Sequence, residues 1–293
     1  MAKMNRLKMA LVAMVTGAFF LAPAADAKLT GDFAQMNEPL APFRIADNLY
    51  YVGAKDVTSY LIVTKAGLIV LDGGFAETAP EILANIRTLG FDPKHIRILL
   101  NSHAHLDHAG GLAALKAESG ATFYASAPDA PVLAAGGAND FALKGATFPP
   151  IKADKIIADG GTVTLGGVTL TAHVTAGHTK GCTTWTMPVM VDSKPQGALF
   201  LCSLSILSTY RLIGDPNYPT QAADYQKSFA TLKGLKCDVF LASHGSFFGM
   251  LAKREKLLAG AKPNPFIDPE GCRAFVATAE AEFDRRLALA THH

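Results

Sequence analysis

Short apolar runs alternate with amphipathic stretches along most of this chain. Leu61-Ile62-Val63 and Leu68-Ile69-Val70-Leu71 flank a Lys65-Ala66-Gly67 turn and read as paired strands. A helix is predicted from about Thr78 to Leu89, with Gly90 as its stop signal. Ile96-Arg97-Ile98-Leu99-Leu100 then reads as a buried strand, and the Ala- and Leu-rich segment from His108 to Glu118 as a helix. The second half repeats this order. Val163 to Val174 reads as strand, turn and strand around Gly166-Gly167, Ala198 to Cys202 as a strand, about Gln221 to Leu232 as a helix, and Asp238 to Leu241 as a strand. Repeated alternation of strand and helix predicts an α/β fold of layered sheets.

The polar positions that matter lie just beyond the C-terminal ends of these strands. His103-Ala104-His105-Leu106-Asp107-His108 follows the strand ending at Leu100, and places four metal-binding side chains within six residues. Imidazole is a good neutral donor for zinc, and a carboxylate completes a borderline-hard site. His178 lies in Ala176-Gly177-His178-Thr179-Lys180-Gly181, and His244 in Ser243-His244-Gly245, each after a predicted strand. In layered α/β folds that edge is where sites assemble. Of the nine histidines, His95 precedes a strand, His173 falls within one, and His292 and His293 end the chain, so these four read as non-ligands.

Composition narrows the partners and the compartment. Lys3, Arg6 and Lys8 precede an apolar stretch from Met9 to about Pro23, followed by Ala25-Asp26-Ala27. This reads as a secretory signal peptide over residues 1–27, too short in its apolar core for a stable membrane anchor. Residues 28–293 are then expected to form one periplasmic domain. The whole chain carries a formal net charge of +2, and loss of residues 1–27 brings it to balance. With no basic stripe or Arg-rich segment, nucleic acid is excluded as a partner. A monomer is expected. Four cysteines in an exported chain make disulfides available, and Cys237 and Cys272 form the better pair because both sit away from the histidine motifs. Cys182 and Cys202 read equally as buried thiols, a second bridge or site residues.

The H-x-H-x-D-H run, Gly177-His178-Thr179 and the later His244 resemble the metallo-β-lactamase superfamily, in that order and over nearly the whole mature chain. The resemblance implies a four-layer αβ/βα sandwich of two similar halves. It also implies two Zn2+ ions per chain, one held by His103, His105 and His178 and the other by Asp107, His108 and His244. Many hydrolases of the superfamily carry a bridging Asp where this chain reads Phe200-Leu201-Cys202-Ser203-Leu204-Ser205. The absence of that carboxylate, the all-histidine first site, and His108 in the second resemble subclass B3. Arg211-Leu212-Ile213-Gly214 and Asn264-Pro265-Phe266 do so too.

That resemblance implies hydrolysis of a β-lactam amide by a zinc-bound hydroxide, with Asp107 as the catalytic carboxylate that orients it. Ser203 and Ser205 become contacts for the substrate carboxylate. Ala138 to Phe148 resembles a loop overhanging the substrate groove, with Phe141 and Phe148 read equally as apolar contacts or as core residues. Cys237 and Cys272 match a disulfide pair of some members. Cys202 is a neighbour of the second metal position. Where some members carry an aromatic wall near the mature N-terminus, Met36-Asn37-Glu38-Pro39 offers none. Trp185, the only tryptophan, is expected in the core. The alternative enzymatic reading is a hydrolase of thioesters, lactones or another amide, and the non-enzymatic one is a zinc- or partner-binding protein.

Overall fold

The computed structural model describes residues 29–291; the leader-like stretch and the terminal His292 and His293 lie outside the described residues. A short helix α1 (Gly31–Met36) precedes seven strands of one sheet: β1 (Phe43–Ala46), β2 (Leu49–Tyr51), β3 (Tyr60–Thr64), β4 (Gly67–Leu71), β5 (Ile96–Leu100), β6 (Thr122–Ser126) and β7 (Lys155–Ile157). These lie side by side in chain order. β1 to β4 are antiparallel, and β4 to β7 are parallel. The parallel part needs crossovers, supplied by α2 (Ala79–Thr88), then α3 (Leu106–Ala109) with α4 (Leu112–Ser119), and then α5 (Ala130–Ala134).

The second sheet contains β8 (Thr162–Leu165), β9 (Val168–Val174), β10 (Thr183–Val191), β11 (Lys194–Leu201) and, parallel to β11 at its edge, β12 (Val239–Ala242). α6 (Gln221–Gly234) precedes β12, and α7 (Met250–Leu258) and α8 (Pro269–Thr291) close the chain.

The strand period of two sorts the core into layers. Tyr60, Ile62, Ile69, Leu71, Ile98 and Leu100 point toward the second sheet and pack with Trp185, Met187, Leu199 and Phe200. Leu61, Leu68, Val70 and Leu99 point the other way, onto Ile82 and Ile86 of α2 and Leu112 and Leu115 of α4. On the far side of the second sheet, Tyr225 and Phe229 of α6 meet Phe283 of α8. The result is the expected four-layer αβ/βα sandwich. Trp185 is fully buried and donates from Nε1 to the Asn101 carbonyl at 3.1 Å, so it is a core residue that also holds the start of the histidine run.

One predicted helix is broken. The segment expected to run as a helix from His108 to Glu118 divides into α3 and α4 at Gly110-Gly111. A Cβ on Gly111 would stand 2.1 Å from the Gly73 carbonyl, and one on Gly110 would stand 2.6 Å from the Ala76 amide. The backbone after β4 lies that close because Gly73 N–H donates to the His108 carbonyl at 2.8 Å and Gly111 N–H to the Gly74 carbonyl at 3.1 Å. The glycines therefore dock the histidine run onto the neighbouring strand end.

Both cysteine pairs are bridged. Cys237, just before β12, joins Cys272 on α8, with Cα atoms 6.5 Å apart. Cys182 joins Cys202 at a Cα separation of 5.9 Å, which selects the second-bridge reading for that pair. Replacing Cys237 and Cys272 together by alanine is expected to lower the unfolding free energy by about 2–4 kcal/mol. The shift of the denaturant midpoint measures it, and an unchanged midpoint would show that the bridge contributes nothing.

Candidate metal centre

All five strand-end histidines and Asp107 meet at one rim of the sandwich. His103, His105 and Asp107 leave the end of β5, His178 sits between β9 and β10, and His244 follows β12. The last of these must be brought across from the other sheet. Tyr60 Oη and Thr58 Oγ1 donate to the Ala242 carbonyl at 2.7 and 2.8 Å, and Val57 forms a β-bridge with His244. These bonds pin the β12 end to the first sheet.

Two clusters result. His103, His105 and His178 offer ring nitrogens that all lie within 4.8 Å of one another. Beside them, Asp107 Oδ2 lies 3.3 Å from His108 Nε2 and 3.4 Å from His244 Nε2, and these two nitrogens are 3.2 Å apart. His103, His105 and His178 thus lie together, with Asp107, His108 and His244 beside them.

In three of the rings a partner engages one nitrogen, and in the other two a carboxylate faces it without forming a hydrogen bond. His178 Nδ1 donates to the Ser205 carbonyl at 2.8 Å. His103 Nδ1 is 3.0 Å from Ser102 Oγ. His105 Nε2 faces Asp140 at 3.6 Å, His108 Nδ1 faces Asp72 at 3.5 Å, and His244 Nδ1 meets Asp56 at 2.9 Å. Such outer partners fix the tautomer and raise the basicity of the inner nitrogen. None of the three carboxylates was singled out from the sequence. Asp72 directly follows β4, so the strand-end rule that found the histidines would have found it. Asp56 and Asp140 sit in loops with no comparable signal.

The electrostatics divide the two clusters. Burial pushes the imidazoles of His103, His105 and His178 down, His105 to about 4, so these three are neutral donors at pH 7. In the second cluster, burial opposes charge on His108 and His244, but neighbouring carboxylates outweigh it. Asp107 and Asp72 raise His108 to about 10, and Asp107 with Asp56 raises His244. Burial likewise opposes ionisation of Asp107, yet His108 and His244 hold it well below the usual carboxylate range. The space between these three groups thus favours positive charge, and neutral imidazoles line the space next to it. A divalent cation fits both the donor chemistry and the charge.

The groove above the clusters has a volume of about 300 Å³ and is lined by His105, Asp107, His178 and His244 together with Ser203 and Ser205. Ser203 is buried, its Oγ accepting the Ser205 N–H at 3.2 Å. The apolar walls differ from those expected. Phe148 is buried in the core under α5, against the backbone of Gly136 and the face of Gly137, and does not reach the groove. Phe141 packs between Tyr210 and Tyr218, with ring centroids 5.2 and 5.0 Å away, so the same loop offers Leu143 to the groove in its place. An aromatic wall is supplied by the segment just before Met36. Phe33 of α1, three residues before Met36, lines the groove while resting on Phe75 at 5.3 Å, and Phe247 lines it from beyond His244.

Cys202 lies beside the first cluster, its Sγ 3.6 Å from His103 Nδ1, and not beside the second. Bonded to Cys182, it has no thiolate to offer a metal. His95 is exposed in a 3-10 turn, and His173 on β9 of the second sheet is 2.9 Å from Thr186 Oγ1; neither approaches the centre.

A model of the metallo-beta-lactamase superfamily matches residues 52–244. Among solved structures, the native FEZ-1 metallo-beta-lactamase from Legionella gormanii is 39% identical with a TM-score of 0.85, the match covering 88% of this chain and 99% of that one. BJP-1, a subclass B3 metallo-beta-lactamase of Bradyrhizobium japonicum, is 39% identical with a TM-score of 0.81 over 88% and 97%. A metallo-beta-lactamase from Cronobacter sakazakii with an HARLDQ motif is 40% identical with a TM-score of 0.85 over 89% and 99%. Against that motif, this chain has His105 in place of Arg and His108 in place of Gln.

Two substitutions probe the framework. Asp56→Ala removes the partner of His244 Nδ1 and is expected to weaken metal binding about 10- to 100-fold; competition with a chromogenic chelator reads the change. Asp129 accepts N–H or O–H groups from Ala104, Thr179 and Gly181 at 2.8 to 3.0 Å. Asp129→Asn would turn an amide N–H toward these donors and is expected to reduce stability by about 1–3 kcal/mol, seen as a lowered denaturant midpoint.

Proposed function

The chain belongs to the metallo-β-lactamase superfamily, and on that premise we propose that it is a subclass B3-like hydrolase of β-lactam amides that works with two zinc ions. The observation that carries this reading is the convergence of six donors in two adjoining clusters under one groove. When bound, zinc supplies a water acidified to a pKa of about 7 and electrophilic pull on a carbonyl and on a departing nitrogen. The chain's own groups do the rest.

His103, His105 and His178 hold one ion, and Asp107, His108 and His244 hold the other. Asp107 has a second task. Its side chain is 13% exposed at the groove floor between the clusters, where its free oxygen accepts a proton from the attacking water and orients it toward the substrate carbonyl. Ser203 and Ser205 stand at the groove wall where other hydrolases of the fold carry a carboxylate. Their uncharged hydrogen-bonding groups receive the substrate's carboxylate without repulsion. Phe33, Leu143 and Phe247 surround the apolar substituents and keep water from the reacting carbonyl.

Export belongs to the same proposal. The basic-then-apolar stretch before Ala27 supports a cleaved leader, and two disulfides support an oxidising compartment such as the periplasm. No described helix is long and apolar enough to cross a membrane. Every donor comes from one chain, which supports activity as a monomer.

Purified protein is expected to hydrolyse cephalosporins and carbapenems, to lose that activity to a chelator and regain it with zinc, and to leave a glutathione thioester almost untouched. Asp107→Asn should keep the fold and lose about 100-fold or more of turnover. Rapid thioester cleavage with all β-lactams intact would replace this reading by the thioesterase alternative, and near-normal turnover of the Asn variant would remove Asp107 from its assigned role.

A further inference from the structure

Behind His178, the loop after β11 and the last turns of α8 enclose a cleft of about 730 Å³. Its walls are of two chemical kinds. Arg211, Arg285 and Arg286 present guanidinium groups, while Leu212, Ile213 and Leu289 present aliphatic surface. Ile213 is 44% exposed and Leu289 53%, values at which large aliphatic side chains are seldom left in this molecule. The lining contains no carboxylate. Glu282, on α8, pairs with both Arg285 and Arg286 at 2.7 Å, and Arg211 has no ion-pair partner among the described residues. One carboxylate therefore answers three guanidinium groups.

An apolar wall beside excess positive charge suits a molecule with one anionic end and an apolar body. A bare inorganic anion leaves the aliphatic wall wet, and a neutral hydrocarbon leaves the guanidinium excess unanswered. The volume falls within the range of about 300–1,000 Å³ usual for small-molecule sites. We infer that this cleft binds a small amphiphilic carboxylate, its carboxylate between Arg211 and Arg286 and its apolar body along Ile213 and Leu289.

The cleft is joined to the metal centre by four bonds. Arg286 donates to the Ile206 carbonyl at 2.8 Å. The adjacent Ser205 carbonyl accepts His178 Nδ1 and Tyr225 Oη, both at 2.8 Å. Tyr210, in the cleft wall, donates to the His178 carbonyl at 2.6 Å. A carboxylate that draws Arg286 away from Ile206 loosens the loop that orients His178. Occupancy of the cleft and ligation by His178 are thereby linked, and the linkage is reciprocal.

The test is calorimetric titration of the zinc-loaded mature protein with octanoate, octylammonium and sulfate, joined by co-sedimentation with phosphatidylglycerol vesicles. Octanoate should bind one per chain, with octylammonium and sulfate at least about tenfold weaker. Arg211→Glu and, separately, Leu289→Ser should each weaken octanoate by about tenfold or more, the scale of one lost charge-assisted hydrogen bond or one lost apolar contact. Both positions are exposed and outside the metal centre, so melting temperature and basal turnover should stay unchanged. No heat with octanoate overturns the proposal. So does equal affinity for sulfate, which marks a plain anion patch, or unchanged octanoate binding in both variants, which places the probe on the metals. Vesicle binding without binding of free octanoate overturns it in favour of a lipid surface.

Discussion

Much of the rim depends on one buried carboxylate. Asp129 follows β6 and touches no metal ligand side chain, yet its oxygens collect the Ala104 N–H, the Thr179 hydroxyl and the Gly181 N–H. Ala104 lies inside the first histidine motif, and Thr179 and Gly181 lie beside His178. These two loops come from different sheets and share no strand ladder, so Asp129 bridges them. Burial pushes its pKa up to about 6, while the three donors pull the other way and keep the anion satisfied at neutral pH. Two further bonds complete the clamp: Thr183 N–H donates to the Ser102 carbonyl at 2.8 Å, and Trp185 Nε1 to that of Asn101.

A second constraint is charge. Five imidazoles and four or more carboxylates are gathered where a protein interior normally tolerates few such groups. Asp72 shows the extent of the accommodation. It adopts a left-handed φ of 65° that a non-glycine residue seldom takes, with its Oδ1 accepting the Ser102 N–H and the Asn101 amide and its Oδ2 facing His108. The backbone is held in that conformation by the same bonds that aim the ligand. Local irregularity at a site, supported on all sides, is the pattern expected where function overrides local preference.

The alternation of strand and helix, and the strand-end setting of the five histidines and Asp107, were readable from the chain because they rest on strong local signals; the order of the strands within each sheet was not. Short, largely apolar runs mark β3, β4, β5 and β12, and the alternating β9 precedes His178, so the donors follow strand ends that the sequence marks. What escaped rests on tertiary contact. The break at Gly110-Gly111 comes from the backbone of Gly73 and Ala76, more than 30 residues earlier. Phe148 has the composition of a groove residue, and only packing against Leu133 and Ile151 makes it core. Phe33 was missed for the opposite reason: α1 buries none of its own residues, so no hydrophobic period announces it, and its role arises from contact with Phe75. The Cys182–Cys202 bridge joins loops that only the fold brings together.

Size and charge together narrow what the groove accepts. At about 300 Å³ it stands at the small end of ligand sites, a size that suits a compact cyclic amide. Its lining is rich in imidazole and includes two carboxylates, Asp107 and Asp56, the latter paired with His244 Nδ1, while Ser203 and Ser205 occupy the place where a bridging acid would add a further negative charge. An anionic substrate group beside these serines therefore meets no protein charge that opposes it. Phe33 and Phe247 stand above that polar floor, so a substrate must combine an apolar substituent, an anionic group and an electrophilic carbonyl within a small volume. A strained cyclic amide bearing a carboxylate meets all three conditions, whereas a glutathione thioester brings a long, polar and flexible chain that these apolar walls do not reward.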